Sequence, residues 1–360
     1  MAALAFDPKA WGFRRKLWLA TALVVLVFCG LLFDTCWRAG ELSALGSEPL
    51  DCRRVAGVTG PEDITYDRRR EVAYVSATDA RAFFMEAPAV GAIYRYTPGA
   101  DKPERLFDGA GKPFHPHGIS LWSDSQGPDL LFAVNHETNQ LHTIEVFEVS
   151  DAGLKLVDTL RDPLLVSPND VVAVGRNELY VTNDHGRNRG PGQLVDDFLR
   201  RERAQVVHVR DKRFRVLADD LAYANGINAR ADGTAIYVSE ITPRRLRVYA
   251  RAPQTGDLTL SRSIELTFAP DNIELEQDGS LYVAGHPKQL TFIRHVLDPH
   301  VPSPSEVVRL QLEPQRAERI YLDPGTQLSA SSVAAPLPGH LLIGSVFADY
   351  FLDCQTPRVH

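Results

Sequence analysis

A phrase of about fifteen residues recurs six times along this chain. One copy, "NDVVAVGRNELYVTND", begins at Asn169 with two oxygen-bearing side chains, continues as a branched apolar run, turns, and returns as a second apolar run. That pattern is typical of a β-hairpin with a polar entrance. Repetition of one unit every few tens of residues is the mark of propellers and solenoids. The repeat therefore restricts the chain to a few architectures.

The spacing of the copies predicts an all-β, six-bladed β-propeller. Successive copies start 55, 52, 56, 46 and 60 residues apart, which suits four short antiparallel strands per unit. Each copy would supply the two inner strands of one blade, so the six opening residues would lie at one height around a central tunnel. The copies start at Glu62, His117, Asn169, Asn225, Asp271 and Ser331.

The opening positions are rich in oxygen ligands, because Asp63, Asp170 and Asn272 stand directly after three of them. So many carboxylates and amides facing one tunnel are costly to bury without partners. A hard cation is the natural occupant: calcium accepts roughly six to eight oxygen ligands, whereas zinc prefers His and Cys. For any single copy, an ordinary turn role of Asn or Asp stays open as the alternative.

Composition favours one globular domain over residues 50–355. The chain has 360 residues, of which 44% are hydrophobic, and six blades of about fifty residues occupy nearly all of it. The formal net charge is −7, and no long block of basic residues occurs. These features give no indication of nucleic-acid binding.

The N-terminal region predicts a membrane anchor. Residues 17–33 carry no charge, and Arg14, Arg15 and Lys16 precede them. We predict a short cytosolic segment at residues 1–16 and a transmembrane signal-anchor at residues 17–36. The positive-inside rule then orients the propeller on the extracytoplasmic side, which is periplasmic, extracellular or lumenal. A cleaved signal peptide is the alternative.

Two of the four cysteines bracket the repeats. Cys52 precedes the first copy and Cys354 follows the last, whereas Cys29 and Cys36 lie in or beside the apolar segment. A disulfide between Cys52 and Cys354 would join the first strand to the last and close the ring of blades, which suits a non-cytosolic compartment. Two unrelated buried thiols are the alternative.

An ordered series of motifs resembles the paraoxonase family of calcium-dependent lactonases and arylesterases. The series is "FHPHGIS", "VNHE", "NDVVAVG" with "TNDH", "ANGIN", "DNIEL", "GHP" and "LLIGSVF", and the match runs from about residue 50 to the end. The resemblance implies a six-bladed propeller with two calcium ions in its tunnel. It also implies hydrolysis of small lactones and aryl esters, with phosphotriesters as a secondary substrate class.

The resemblance assigns the polar openers to two ions at different depths. Because consecutive side chains on a strand point to opposite faces, adjacent residues could serve different ions. By position, the upper, catalytic calcium would be held by Glu62, Asn169, Asn225, Asp271 and Asn272. The deeper, structural calcium would be held by Asp63, Asp170 and the backbone carbonyl of Ile119.

The resemblance also points to a histidine pair as the catalytic base. His117 in "PHGI" and His136 in "VNHE" match the family's pair. With the upper calcium polarising the substrate carbonyl, His117 would take a proton from the attacking water, assisted by His136, whose orientation Asp184 could fix. A calcium-bound acid such as Glu62 stays open as the base.

The substrate pocket is predicted from residues at the same end of the blades. His185 and His286 close inner strands and could line the pocket. Residues 78–94 occupy the place of an active-site lid, where Phe83 and Phe84 could contact an apolar acyl group. Ordinary packing within the blade is the alternative for both phenylalanines.

Other functions are compatible with a propeller. The sequence contains no G-x-S-x-G motif, so a nucleophilic serine has no support. A gluconolactonase-like sugar lactonase with one metal and a non-hydrolytic strictosidine-synthase-like protein are the nearer alternatives, and the paired acids argue against both. A binding propeller that uses calcium only as a structural plug is a third.

Overall fold

The structure, a computed structural model, describes residues 8–356. The chain divides into two compact units, the first ending at Ala44 and the second beginning at Leu45. The first unit contains helix α1 (Pro8–Arg38). Residues 1–7 of the predicted cytosolic segment lie outside the described residues.

Helix α1 contains a segment, Lys16–Arg38, that is long and apolar enough to cross a membrane. Its 23 residues correspond to roughly 35 Å of helix at 1.5 Å per residue, against a hydrocarbon core of about 30 Å. A signal sequence near an N-terminus meets the same criterion. The predicted apolar helix is confirmed, and its retention in the mature protein stays a prediction.

The second unit is a six-bladed β-propeller, as predicted, and every blade is a four-stranded antiparallel sheet. Strand β1 (Cys52–Ala56) belongs to the last blade. Blade 1 contains β2 (Pro61–Asp67), β3 (Val72–Thr78), β4 (Gly91–Tyr96) and β5 (Glu104–Phe107). Blade 2 contains β6 (Pro116–Trp122), β7 (Asp129–His136), β8 (His142–Ser150) and β9 (Gly153–Leu160). Blade 3 contains β10 (Pro168–Gly175), β11 (Glu178–Asn183), β12 (Ala204–Arg210) and β13 (Arg213–Leu221).

The second half of the ring repeats this order. Blade 4 contains β14 (Ala224–Ala229), β15 (Ala235–Glu240), β16 (Arg245–Arg251) and β17 (Leu258–Glu265). Blade 5 contains β18 (Ala269–Leu275), β19 (Leu281–His286), β20 (Ser305–Leu312) and β21 (Gln315–Asp323). Blade 6 contains β22 (Ser331–Leu337), β23 (His340–Ser345) and β24 (Tyr350–Gln355), and β1 completes it as the outer strand.

Three short helices lie at the end of the tunnel where the repeated phrases begin. They are α2 (Ala80–Phe84), α3 (Pro191–Phe198) and α4 (Gln289–Leu297), in blades 1, 3 and 5. Each connects the second strand of its blade to the third. Because the second strand returns to the end at which the first begins, the helices and the opening residues share one face of the propeller.

Apolar cores fill the spaces between neighbouring blades. Phe132 and Val146 of blade 2, for example, belong to the same buried cluster as Val171, Leu179 and Val207 of blade 3. The alternation along each strand sends one face toward each neighbouring blade, so the branched apolar runs of the repeat become shared cores. Burial of these side chains leaves the polar openers as the lining of the tunnel.

Each inner strand is irregular at its opening residue. In all six blades the register between the first and second strands shifts there, as between Pro61 and Asp63 in blade 1. Such a β-bulge bends the strand and re-aims its side chains. In blade 1 the consecutive side chains of Glu62 and Asp63 contact Asn272 of blade 5 and Ile119 of blade 2. A proline stands at or beside the strand start in four blades: Pro61, Pro116, Pro168 and Pro270.

The predicted disulfide is confirmed. Cys52 and Cys354 are paired in the register of β1 and β24, and their sulfur atoms are bonded. The bond joins positions 302 residues apart and fastens the outer strand of blade 6. In the unfolded state the bond therefore limits the conformations of a loop that contains nearly all residues of the propeller.

Loss of this bond is expected to destabilise the propeller. A Cys52→Ser/Cys354→Ser variant should lose about 4–5 kcal/mol of unfolding free energy, because a cross-link over so long a loop lowers the entropy of the unfolded chain. Urea unfolding of the variant and the parent, with Cys36→Ser as control, measures the effect. An unchanged midpoint for the double variant would contradict it.

Candidate functional site

The five residues predicted to hold the upper calcium are buried at the tunnel end. Their exposed fractions lie between 1% and 6%. Four of the five carry a buried oxygen that accepts no hydrogen bond from any described residue, and such oxygens are costly to bury without a donor or a cation. The four atoms are Glu62 Oε2, Asn169 Oδ1, Asn225 Oδ1 and Asn272 Oδ1.

Hydrogen bonds between blades hold these residues in one ring. Asn272 Nδ2 donates to Glu62 Oε1 at 2.9 Å, which joins blades 5 and 1. The Ser239 hydroxyl donates to the Asp271 carbonyl at 2.6 Å, and the Thr182 hydroxyl donates to the Asn225 carbonyl at 2.5 Å. The predicted convergence of distant stretches on one tunnel is therefore observed.

Two glycines next to the openers allow the inner strands to approach this closely. A Cβ on Gly118 would lie 2.1 Å from Asp170 Oδ1, and a Cβ on Gly226 would lie 2.6 Å from the Cα of Asn272. Any side chain at either position would push neighbouring blades apart. This explains the glycine of "PHGI" and that of "NGI".

The two acids predicted for the deeper ion link adjacent blades. Asp63 Oδ2 accepts from the Ile119 amide at 2.7 Å, and Asp170 Oδ2 accepts from the Ile227 amide at 2.8 Å. Burial, followed by the charge of Glu62, raises the pKa of Asp63 to about 8. Burial and the charge of Asp63 also raise the pKa of Asp170. The tunnel therefore concentrates negative charge without enough positive partners.

These residues fit a hard divalent cation. In residues 8–356, no group of three or more His, Cys, Asp or Glu side chains is arranged to hold a metal ion. The upper set combines two carboxylates with three amides, so the amide oxygens are essential to it. Calcium accepts neutral amide oxygens in irregular geometry, which the partnerless oxygens and the crowded acids of this tunnel match.

A chain of side chains leads away from Glu62. Glu62 Oε1 lies 3.5 Å from His117 Nε2, His117 Nδ1 lies 3.1 Å from His136 Nε2, and His136 Nδ1 lies 2.8 Å from His142 Nδ1. The predicted pair is thus brought together. His142 was not predicted, although His136 and His142 flank the short β7–β8 turn and face each other in the register of the two strands.

The surroundings shift the pKa values of His117 and His136 in opposite directions. Burial lowers the pKa of His117, but the charge of Glu62 and its hydrogen bond outweigh burial, and the pKa rises to about 9. Burial, followed by the charges of His117 and His142, lowers the pKa of His136 well below its usual value. His136 is therefore the neutral member of the pair.

The prediction that Asp184 orients His136 is wrong. Asp184 Oδ1 accepts from His185 Nδ1 at 2.8 Å and from the Ser167 hydroxyl. Asp184 lies at the end of β11 in blade 3, whereas the hairpin of blade 2 already places His142 against His136. The partner comes from the same hairpin because residues facing each other across a turn are held in register.

His185 lies at the tunnel mouth and connects it to α3. Its Nε2 lies 3.0 Å from Asp197 Oδ1, so the ring is held between two carboxylates. Burial lowers the pKa of His185, but the charge and hydrogen bond of Asp184 and the hydrogen bond of Asp197 raise it to about 10. His185 therefore positions α3 rather than lining the pocket with a free nitrogen.

Aromatic side chains surround the histidines. The Phe83 ring lies 5.9 Å from that of His136, and the Phe84 ring lies 6.4 Å from that of Phe347. His286 Nε2 lies 3.0 Å from Asp271 Oδ2, and the His286 ring stacks on that of Phe292 with the centroids 3.8 Å apart. Neither Phe292 of α4 nor Phe347 was predicted to lie near the site, because both follow a repeated phrase instead of lying within one, although Phe347 ends the motif "LLIGSVF".

Comparison with known proteins identifies relatives of this chain. The sequence model of the Arylesterase family matches residues 106–355. The chain is 32% identical to chicken serum paraoxonase/arylesterase 2 over 315 residues, which cover 82% of this chain and 86% of the relative. The chain belongs to the paraoxonase/arylesterase family. Human serum paraoxonase/arylesterase 1 is 34% identical over 240 residues, which cover 65% of this chain and 66% of that protein.

A solved structure shares the fold of the family. The calcium-binding protein regucalcin of Agrobacterium tumefaciens aligns with a TM-score of 0.53 over 85% of this chain and 94% of its own. Its sequence identity is 15%, so the likeness concerns the propeller alone. The resemblance seen in the sequence motifs is confirmed by the much higher identity to the paraoxonases.

Proposed function

We propose that this chain is a calcium-dependent hydrolase of lactones and aryl esters. One observation carries the proposal: four partnerless buried oxygens lie at the tunnel end where Glu62 approaches the pair His117 and His136. Family membership supports the reaction class, since its named relatives are arylesterases and paraoxonases. Phosphotriester hydrolysis is a secondary activity within the proposal.

Two calcium ions are part of this proposal. A bound ion in the upper site supplies a Lewis acid for the substrate carbonyl. The upper ligands would be Glu62, Asn169, Asn225, Asp271 and Asn272. The deeper ligands would be Asp63, Asp170 and the carbonyl of Ile119.

The histidines would accept and transfer the proton of the attacking water. A cation bound by Glu62 would offset the carboxylate charge that raises the pKa of His117, which would leave His117 neutral. In this proposal His117 Nε2 would then accept that proton as the water oxygen attacks the carbonyl carbon, and His117 Nδ1 would pass a proton to the neutral His136. The same chain returns a proton to the leaving alkoxide, so the ring-opened or cleaved product leaves the histidines as they began. Glu62 stays the competing candidate for the base.

The aromatic residues would hold the apolar part of the substrate. Phe83 and Phe84 of the lid, together with Phe292 and Phe347, form walls near the histidines. Such walls suit an acyl chain or an aryl ring. A few polar groups then fix the position of the carbonyl.

A substrate panel tests the function directly. The protein is assayed with γ- and δ-lactones, phenyl acetate and a phosphotriester, each with calcium and with a chelator. Calcium-dependent turnover of lactones or phenyl acetate is expected. Calcium binding without any turnover would instead establish the binding-propeller alternative.

The third histidine gives a separate prediction. His142→Gln is expected to lower kcat by about 10- to 100-fold with little change in KM, because His136 loses the partner that fixes its orientation. Steady-state kinetics on phenyl acetate measure it, with the exposed His300→Gln as control. Equal kcat for His142→Gln and the parent would contradict this role.

We also propose that the propeller lies on the extracytoplasmic side of a membrane, anchored by α1. The Cys52–Cys354 disulfide supports this location, since such bonds persist in oxidising compartments. Protease digestion of sealed vesicles tests the orientation: the propeller should be protected in vesicles whose lumen is extracytoplasmic. Digestion there, with protection in vesicles of opposite orientation, would overturn it.

A further inference from the structure

An exposed arginine that forms no salt bridge with a described residue lies over the lid. The Arg189 guanidinium carbon lies 4.3 Å above the ring of Phe84, and the Arg189 carbonyl accepts from Gln140 Nε2 at 3.1 Å. Within the part of the chain that the structure describes, no carboxylate lies within 4.0 Å of Arg189. Its neighbours Arg187, Arg201 and Arg203 all approach Asp196 within that distance.

Two phenylalanines of the lid connect this guanidinium to His136. Phe83 and Phe84 are consecutive, with ring centroids 6.3 Å apart. Phe83 contacts His136, and Phe84 lies under Arg189. An aromatic contact with an exposed cation is worth only about 0.5–1 kcal/mol and uses the face of the guanidinium. None of the described residues accepts a hydrogen bond from the N–H donors at its edge, so a ligand can use them.

Tyr223 adds a second donor, because it packs against His185 in the β11–α3 segment that also carries Arg189. Its backbone has φ of +54°, a left-handed conformation that is uncommon outside glycine and concentrates at functional sites. The ring packs edge-on against His185 at 4.9 Å, and its hydroxyl makes no hydrogen bond to any residue described in the structure.

We propose that Arg189 and the Tyr223 hydroxyl bind a carboxylate on the substrate, so that the preferred substrates are lactones or esters with a carboxylate away from the reacting carbonyl. This inference rests on the proposed hydrolase function. A guanidinium edge and a phenol hydroxyl together match the acceptors of a carboxylate. A cation at the rim also offsets the repulsion that the acidic tunnel exerts on an anionic substrate.

A matched pair of esters tests the proposal. The pair is 4-acetoxybenzoate and its methyl ester, which carry the same acetyl ester and differ in one negative charge. In Arg189→Gln the ratio of kcat/KM for the carboxylate to that for the methyl ester should fall by about 10- to 100-fold, chiefly through KM. Tyr223→Phe should lower the ratio less.

Arg187→Gln is the matched control, because it removes the same charge from the same loop and Arg187 is paired with Asp196. Its ratio should equal that of the parent. An unchanged ratio in Arg189→Gln, or an equal fall in Arg187→Gln, would overturn the proposal.

A binding measurement separates this proposal from the hydrolase function. Calorimetric titration with 4-hydroxybenzoate and its methyl ester needs no turnover. Preference of the parent for the carboxylate, lost in Arg189→Gln, supports the anion site even if neither ester is hydrolysed. Equal affinity of the parent for both compounds overturns it, whatever the outcome of the hydrolysis assays.

Discussion

Chelation of calcium is expected to abolish hydrolysis of lactones and phenyl acetate and to lower the stability of the propeller. Without calcium, no cation would neutralise the partnerless oxygens of Glu62, Asn169, Asn225 and Asn272. The buried carboxyl groups of Asp63 and Asp170 would also repel each other. A ligand at a hundred times its dissociation constant stabilises the folded state by about 2.7 kcal/mol. Activity and thermal unfolding, followed during titration with EGTA, measure both effects.

Readdition of metal provides the control for chelation. Calcium should restore both turnover and stability, whereas magnesium should restore neither in full, because it demands a tighter octahedral set with several waters. Full activity at the lowest free calcium, with an unchanged unfolding temperature, would contradict the account.

The second large effect is expected at His117. His117→Gln should lower kcat by about 10²- to 10⁴-fold, the range typical of general acid–base catalysis, because its ring alone connects Glu62 to the His136 relay. Turnover of a δ-lactone and of phenyl acetate measures the loss. Calorimetric calcium titration checks that the metal sites persist.

Two outcomes would separate the candidate bases. Loss of kcat with calcium binding intact supports His117, and His300→Gln, an exposed control, should keep parental kcat. Unchanged kcat in His117→Gln with intact calcium binding would contradict the histidine role and leave Glu62 as the base.

Much of the fold could be predicted because the repeat encodes it locally. Each phrase carries its own hairpin, and the position of Asn169 within one phrase fixes that of Asn225 or Asp271 within others. The disulfide followed from the same logic, since Cys52 and Cys354 lie just outside the repeats. Ring closure then brings the openers together without any further assumption.

The remaining features depend on tertiary contacts that the repeat does not encode. Asp184 contacts His185 rather than His136, because blade geometry places its carboxylate against Ser167 and His185. Phe292 and Phe347 reach the pocket from an inserted helix and a loop, whose paths no periodicity specifies. The bulges were also unforeseen, although the prolines at the strand starts were a usable signal.

The central claim is that the tunnel binds divalent ions through its polar openers. A crystal structure of the protein grown with calcium, with anomalous scattering to identify the metal, tests this most directly. We expect two ions, the upper one about 2.3–2.6 Å from oxygens of Glu62, Asn169, Asn225, Asp271 and Asn272. A tunnel that holds only water hydrogen-bonded to these side chains, in crystals saturated with calcium, would contradict the account.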